Sequence, residues 1–262
     1  MRSDMPSNTR PLLSPAFLCI LALFLATAAP SVRAAEPADE CVVLLHGLGR
    51  TASSMDPLED ALLAEGYATA NIDYPSRKAT IAELAEQAVP AGLRQCRRQG
   101  TRRIHFVTHS LGGILIRFYL SRQRVPELGR VVMLSPPNKG SEVVDELHDN
   151  PVYRWINGPA GQQLGTGPED LPNRLGPADY PVGVITGDKG EIWDYWFSGI
   201  IPGKDDGKVS VERARLEGMS DFLVVHRSHT YIMKAPEVIR QVLNFLREGR
   251  FCHEDGCAGI SR

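Results

Sequence analysis

The segment Ile104-His105-Phe106-Val107-Thr108-His109-Ser110-Leu111-Gly112-Gly113 decides the fold of this 262-residue chain. Its first half is an apolar run that predicts a buried strand, and a helical pattern follows at once from Leu111 to Gln123. A serine between a strand and a helix lies on a sharp turn, where small neighbours let the two elements approach closely. The segment therefore predicts that Ser110 points out of the edge of a sheet.

Five other short runs have the same continuous apolar character, which predicts central strands buried on both faces. They are residues 41–45, 67–71, 131–134, 182–186 and 222–225. Helical patterns alternate with them at 57–65, 80–96 and 236–249, and Thr80 with Glu83 forms a capping-box pattern. This alternation predicts an α/β domain with a mostly parallel central sheet and helices on both faces.

Two stretches interrupt the alternation of strands and helices. Residues 141–178 are dense in Gly, Pro, Asn and Asp, which indicates either a small cap over a binding site or an irregular surface loop. Residues 190–202 carry an aromatic group that includes Trp193, Trp196 and Phe197. These side chains are candidates for a substrate pocket, and the alternative is that they pack under a loop.

The first 34 residues have the pattern of a signal peptide. Arg2 and Arg10 precede an apolar run over 12–29, and the small residues around Ala34 suit a cleavage site. Cleavage there leaves a domain over 35–262 in the periplasm or the medium. An uncleaved membrane anchor is the alternative.

The part of the chain after the leader has four cysteines, Cys41, Cys96, Cys252 and Cys257. An even number in an exported protein predicts two disulfides, and the short separation of Cys252 and Cys257 favours their pairing, which leaves Cys41 with Cys96. Free thiols are the alternative. The spacing lacks the paired short gaps of a zinc site, so no metal is expected.

The charge of the chain argues against binding to nucleic acid. The formal net charge is −2, and the arginines between Arg94 and Arg103 form only a brief cluster. Nucleic-acid recognition requires a strongly basic face with groove-reading or aromatic elements beside it.

A serine nucleophile needs a base and an acid that follow it in the chain. His229 lies in the loop after the run 222–225 and is the favoured base, with His226 as the alternative. Asp206 is the favoured acid because Gly207 after it suits a turn that presents the carboxylate. Asp188, directly after a strand, and Asp205 stay open as alternatives.

Backbone amides must also stabilise the negative charge that develops on the substrate oxygen. Leu111 follows Ser110 at the start of a helix, and Leu48 lies in His46-Gly47-Leu48-Gly49 after the first run. The amides of these two leucines are the predicted oxyanion donors.

With these motifs the chain resembles the bacterial lipase and esterase branch of the α/β-hydrolase superfamily over about residues 41–245. The resemblance rests on the segments 46–49, 108–113, 137–141, 206–209 and 228–230. Asp206 and His229 lie 23 residues apart, which is typical of that family. Two departures are Thr108 in place of glycine and the lack of a long helical lid, and the second argues against hydrolysis of long-chain triglycerides.

The resemblance implies an α/β-hydrolase fold without a large lid and hydrolysis of a carboxylic ester through an acyl-enzyme on Ser110, with no cofactor or metal. A small-molecule or lipid ester is the expected substrate, with transient contact to a lipid surface. Two alternatives stay open: an acyltransferase or thioesterase with the same triad, and a catalytically silent hydrolase-fold protein for binding or folding assistance.

Overall fold

A six-stranded parallel sheet lies at the centre of the computed structural model, which describes residues 39–190 and 200–253. The strands are β1 (Glu40–Leu45), β2 (Ala68–Ile72), β3 (Arg103–His109), β4 (Leu128–Leu134), β5 (Val182–Gly187) and β6 (Asp221–Val225). Their order across the sheet is β2-β1-β3-β4-β5-β6, and every neighbouring pair is parallel. The predicted α/β class is confirmed.

Helices connect the strands on both sides of the sheet. In the described ranges they are α1 (Asp56–Ala64), α2 (Ile81–Arg98), α3 (Leu111–Leu120), α4 (Glu142–Leu147), α5 (Pro151–Gln162), α6 (Leu171–Arg174), α7 (Val211–Ala214) and α8 (Pro236–Glu248). The capping box at the start of α2 is present, because the Thr80 hydroxyl accepts from the Glu83 amide and the Glu83 carboxylate accepts from the Thr80 amide.

Strand β1 explains why the apolar runs are continuous rather than alternating. All six of its residues are buried. Val43 and Leu45 belong to the core under α2 and α3, whereas Val42 and Leu44 belong to the core under α1 and α8. Because each face of the sheet is covered, both sets of side chains are removed from water.

The prediction that all six runs are central strands is wrong for β2 and β6. These strands are the two edges of the described sheet. Val224 of β6 is 38% exposed. An apolar sequence indicates that side chains are buried, but it does not indicate whether the strand has a neighbour on one side or on both.

Residues 141–178, between β4 and β5, contain helices α4, α5 and α6. Arg117 of α3 holds the chain just before this stretch and again near its end. The buried Arg117 guanidinium donates to the carbonyl of Asn138 at 2.8 Å, and to those of Pro172 at 3.1 Å and Gly176 at 2.9 Å. Burial lowers the pKa of Arg117 to about 10. We call residues 138–176 the excursion.

A disulfide joins Cys41 of β1 to Cys96 of α2, with 5.7 Å between their Cα atoms. Both cysteines are buried, and the bond is compatible with secretion. Cys257, the predicted signal peptide over 1–34 and the aromatic residues Trp193, Trp196 and Phe197 lie outside the described residues. The signal peptide and the pairing of Cys252 with Cys257 therefore stay predictions. Within the described ranges, no helix has the length and apolarity to cross a membrane.

The disulfide closes a loop of 55 residues, and we expect it to contribute substantially to the free energy of unfolding. Chain-entropy arguments for a loop of this size give about 4 kcal/mol. Chemical denaturation of the oxidised wild type and of the Cys41→Ala/Cys96→Ala double variant measures the difference. Equal midpoints and slopes for the two proteins would contradict this expectation.

Candidate active site

Ser110 lies on the turn between β3 and α3 and has a left-handed backbone, with φ 50° and ψ −117°. Its amide donates to the carbonyl of Leu134 at 2.8 Å, and its own carbonyl accepts from the amide of Gly113 at 2.9 Å. Such a conformation is costly for a residue with a side chain and persists only where the surrounding structure imposes it. Strand β4 and helix α3 hold it here.

The turn also requires that α3 approach β1 very closely. A Cβ atom at Gly112 would lie 2.5 Å from the carbonyl oxygen of Leu45. Thr108 replaces the glycine that the resemblance leads one to expect, and it fits because it is still part of strand β3, with its hydroxyl directed to the Val132 carbonyl at 3.4 Å. The departure at Thr108 therefore leaves the geometry of the turn intact.

The structure brings Ser110, His229 and Asp206 into one hydrogen-bonded chain. The Ser110 Oγ and His229 Nε2 atoms are 3.0 Å apart, and His229 Nδ1 and Asp206 Oδ2 are 2.9 Å apart. Asp206 is fully buried, and His229 and Ser110 are 5% and 8% exposed. A neutral imidazole with its proton on Nδ1 donates to the carboxylate and can accept the serine proton at Nε2.

The Asp206 carboxylate is held by several donors at once. Its second oxygen, Oδ1, accepts from the amides of Lys208 at 3.1 Å and Val209 at 2.9 Å. Burial alone raises the pKa of Asp206, but the charge and hydrogen bond of His229 and the Val209 amide outweigh burial and lower it. Asp206 is therefore ionised at neutral pH.

The alternative acids and base have other partners. His226 Nδ1 contacts Asp188 Oδ1 at 2.9 Å, and Lys204 Nζ is 3.6 Å from the same carboxylate. The Asp205 carboxylate accepts from the Gly207 amide at 2.8 Å. Among the described contacts, none joins His226 to the hydroxyl of Ser110, and none joins Asp188 or Asp205 to the ring of His229.

The two predicted oxyanion donors, the amides of Leu48 and Leu111, follow β1 and Ser110. Leu48 lines the cavity above Ser110. Neither amide donates a hydrogen bond within the part of the chain that the structure describes. Their role as oxyanion donors stays a prediction.

Residues 46–49, which we call the Leu48 segment, are held by Tyr74, a contact that no local sequence pattern predicts. The rings of His46 and Tyr74 stack at 4.0 Å, and the Tyr74 hydroxyl donates to the carbonyl of His46. Burial lowers the pKa of His46, so the ring packs in its neutral form. The two residues lie 28 positions apart, and no local pattern links them.

His109, directly before Ser110, lines the cavity beside the serine. Its Nε2 atom is 3.0 Å from the carbonyl oxygen of His229, and a Cβ atom at Gly47 would lie 2.6 Å from its Nδ1 atom. Burial, and next the charge of His229, hold the pKa of His109 well below its ordinary value. A neutral His109 therefore donates through Nε2 to the carbonyl of His229, in the loop after β6 that we call the histidine loop. In the sequence, the position of His109 directly before Ser110 was the feature that could have indicated a role at the site.

A cavity of about 360 Å³ opens above Ser110 and His229. One wall comes from the excursion, which contributes mainly apolar side chains together with one serine hydroxyl and one amide. These residues are Ser141, Val143, Val144, Tyr153, Ile156, Asn157, Gly161 and Leu164. The predicted pocket aromatics at 193, 196 and 197 lie outside the described residues, whereas the excursion does reach the site.

A parallel α/β sheet with a serine on a strand-to-helix turn, followed in the chain by an aspartate and a histidine, defines the class of α/β-hydrolase-fold proteins. The sequence matches the model of the Alpha/beta hydrolase family over residues 42–247. The chain therefore belongs to that family. A search of curated protein sequences found no match.

Several solved hydrolases have a similar fold. The mature form of the Bacillus licheniformis lipase BlEst2 has a TM-score of 0.65 and 22% identity, over 82% of this chain and 95% of that one. The Pyrococcus furiosus esterase PF2001 has a TM-score of 0.55 and 21% identity, over 80% and 82%. The metagenomic carboxyl esterase MGS0156 has a TM-score of 0.57 and 18% identity, over 79% and 69%. At these identities the likeness concerns the fold.

We expect Gly112→Ala to destabilise the protein, because the added methyl group meets the Leu45 carbonyl rather than a flexible side chain. Overpacking of this kind costs about 1–3 kcal/mol. Gly190→Ala is the control, since a Cβ there meets no atom of the described ranges within 4 Å. Thermal and denaturant unfolding of both variants measure the effect, and equal stabilities would refute the close-approach argument.

The lowered pKa of Asp206 predicts a pH dependence of stability. A carboxyl whose pKa is lower in the folded than in the unfolded chain contributes stability above the unfolded value, near 3.8, and loses it as the pH falls through the folded value. Asp206→Asn lacks this contribution. Denaturant unfolding from about pH 6 to about pH 3 should therefore give a shallower acid decline for Asp206→Asn than for wild type. Parallel curves would contradict the assignment of the pKa direction.

Proposed function

We propose that this protein is a serine carboxylic-ester hydrolase that acts through Ser110, His229 and Asp206. The single observation that carries the proposal is the hydrogen-bonded chain of these three side chains, at 3.0 and 2.9 Å, beneath a cavity with an apolar wall. A serine, a base and an orienting acid in this geometry are the parts that acyl transfer through a serine requires.

The first half of the reaction acylates the enzyme. The Ser110 Oγ atom attacks the ester carbonyl carbon while His229 Nε2 takes the serine proton. The carbonyl oxygen becomes an oxyanion, and the Leu48 and Leu111 amides donate to it. The intermediate then expels the alcohol, which receives the proton from His229, and leaves an acyl ester on Ser110.

The second half returns the enzyme to its initial state. A water molecule attacks the acyl carbonyl and gives a proton to His229 Nε2. The oxyanion forms again at the same amides, the bond to Ser110 breaks, and His229 returns the proton to the serine oxygen. The products are one carboxylic acid and one alcohol for each ester and water consumed.

Asp206 supports both halves by stabilising the imidazolium that forms on His229. The two amides on its other oxygen fix the carboxylate, so it does not need to reorganise when the charge appears. The contact of His109 with the His229 carbonyl, at 3.0 Å, restrains the backbone of the histidine loop. These contacts favour a base that is positioned before substrate arrives.

The cavity and its surroundings favour short or medium acyl esters, with transient contact to a lipid surface. A volume of about 360 Å³ is at the small end of the range for small-molecule sites. On α5, the side chains of Val152, Trp155 and Ile156 are 63%, 84% and 42% exposed, and Ile156 also lines the cavity. An exposed apolar group beside the opening suits an enzyme that takes amphipathic substrates from a surface.

The predicted leader and the Cys41–Cys96 disulfide support export to the periplasm or the medium.

Hydrolysis of p-nitrophenyl esters from acetyl to dodecanoyl tests the proposal. We expect turnover by wild type with an optimum at short to medium acyl groups. Ser110→Ala should lower kcat by about 10⁴-fold or more because the nucleophile is lost, and Asp206→Asn should lower it by about 10⁴-fold because the imidazole loses its orienting partner.

Asp188→Asn is the matched control for the acid, since Asp188 pairs with His226 and Lys204. Its activity should stay close to that of wild type. If Asp188→Asn loses as much activity as Asp206→Asn, the assignment of the acid is wrong. If folded wild type turns over no ester faster than Ser110→Ala, the hydrolase proposal fails. Product analysis with an added alcohol separates hydrolysis from acyl transfer.

A further inference from the structure

Two cations line the cavity above Ser110. They are Arg50, which follows the Leu48 segment, and Lys208, which lies in the turn after Asp206. Arg50 is half-buried and Lys208 is exposed. Each comes from a loop that contributes to the proposed machinery, so both are tied to the position of the reacting atoms.

Hydrogen bonds hold the backbones of both residues, and both residues line the cavity. The Arg50 amide donates to the Gly47 carbonyl at 3.2 Å. The Lys208 amide donates to Asp206 at 3.1 Å, and its carbonyl accepts from the Ser141 hydroxyl at 2.7 Å. The backbone positions from which the two charged side chains extend are therefore set by the same contacts that position the acid and the Leu48 segment.

Neither cation has a carboxylate partner within the described ranges. Nearby cations differ in this respect, because Lys204 pairs with Asp188 and Arg213 pairs with Glu142. No aspartate or glutamate is among the described residues that line the cavity. The cationic character is local, since the whole chain has a net charge of −2.

The charge of Arg50 acts close to the reacting groups. Burial and the charge of His229 come first in lowering the pKa of His109, and the charge of Arg50 adds to them. His109 is the residue directly before Ser110. An anionic group bound by Arg50 would therefore lie near the ester that Ser110 attacks.

The wall that the excursion contributes to the cavity is largely apolar and buried. Val143, Val144 and Leu164 are each at most 8% exposed, and they come from the excursion. The cavity is thus lined both by this apolar wall and by two cations that have no carboxylate partner among the described residues. A neutral ester would use only the first of these features.

Resting on the proposed function, we propose that Arg50 and Lys208 select an acyl ester whose alcohol part carries an anionic phosphate or carboxylate group. The acyl chain packs on the apolar wall, and the anion contacts the guanidinium and the ammonium at the opening. Guanidinium groups bind the oxygens of phosphate and carboxylate with two parallel hydrogen bonds, and lysine adds a point charge. The anionic group then positions the ester for attack by Ser110.

Binding of hexyl phosphate, hexanoate and inorganic phosphate to the wild-type protein, measured by calorimetry, tests the site without any need for turnover. We expect hexyl phosphate, hexanoate or both to bind more tightly than inorganic phosphate, because they also bury apolar surface. Arg50→Gln should raise the Kd of the binding ligand about tenfold. The more exposed Lys208→Gln should raise it about threefold. Lys204→Gln is the matched control, and its Kd should equal that of wild type.

The comparison of hexyl phosphate with hexanoate separates phosphate from carboxylate as the preferred anion, and preference for either supports the proposal. Inorganic phosphate that binds as tightly as hexyl phosphate would contradict the role of the apolar wall. A Kd that is unchanged in both Arg50→Gln and Lys208→Gln, or no binding of any anion, would overturn the proposal. Two variants are used so that loss of folding in one leaves the other informative.

Turnover then separates this proposal from the proposed hydrolase activity. Two nitrophenyl butyrates are compared, one with a carboxylate on the ring and one with a carboxamide at the same position. We expect a higher kcat/KM for the carboxylate ester, and the ratio of the two values should fall about tenfold in Arg50→Gln but not in Lys204→Gln. Equal hydrolysis of both esters by wild type would leave the hydrolase standing and overturn the anion preference. Binding that depends on Arg50 without hydrolysis of either ester would refute the hydrolase and keep the anion site.

Discussion

Helix α3 begins in contact with strand β1, and the rest of the site depends on that close approach. Gly112 has no side chain where a Cβ atom would lie 2.5 Å from the Leu45 carbonyl oxygen. The chain can therefore turn sharply at Ser110, whose left-handed backbone lifts its hydroxyl toward the cavity. The same approach brings Gly47, which follows β1, against the His109 ring. One steric constraint thus sets the relative positions of the serine and the Leu48 segment.

The second requirement is a buried carboxylate that stays ionised. Asp206 loses all its water on folding, and an isolated buried charge would be strongly unfavourable. Three donors replace the water: the His229 imidazole and the amides of Lys208 and Val209. The turn after Asp206 therefore serves both to solvate the carboxylate and to aim it at the histidine.

Features that depend on local pattern could be predicted from the sequence, and features that depend on distant contacts could not. The parallel sheet followed from continuous apolar runs, and the strand, turn and helix around Ser110 followed from their order in the chain. Edge strands β2 and β6 were missed because composition does not reveal strand neighbours. Tyr74 and Arg117 were missed because their partners lie 28 residues away and between 21 and 59 residues away, respectively. The helices of the excursion were hidden by its many turn-forming residues.

The ties made by Arg117 have a consequence for how such a protein can diversify. They join α3 to Asn138 at the start of the excursion and to Pro172 and Gly176 at its end, so α4 and α5 form a closed segment between anchored points. Insertions or deletions within α4 and α5 would change the wall of the cavity while the ends stay attached to the helix that begins after Ser110. The shape of this wall can thus change without disturbing the sheet. The buried Arg117 marks the boundary between the sheet with its helices and the segment that can vary.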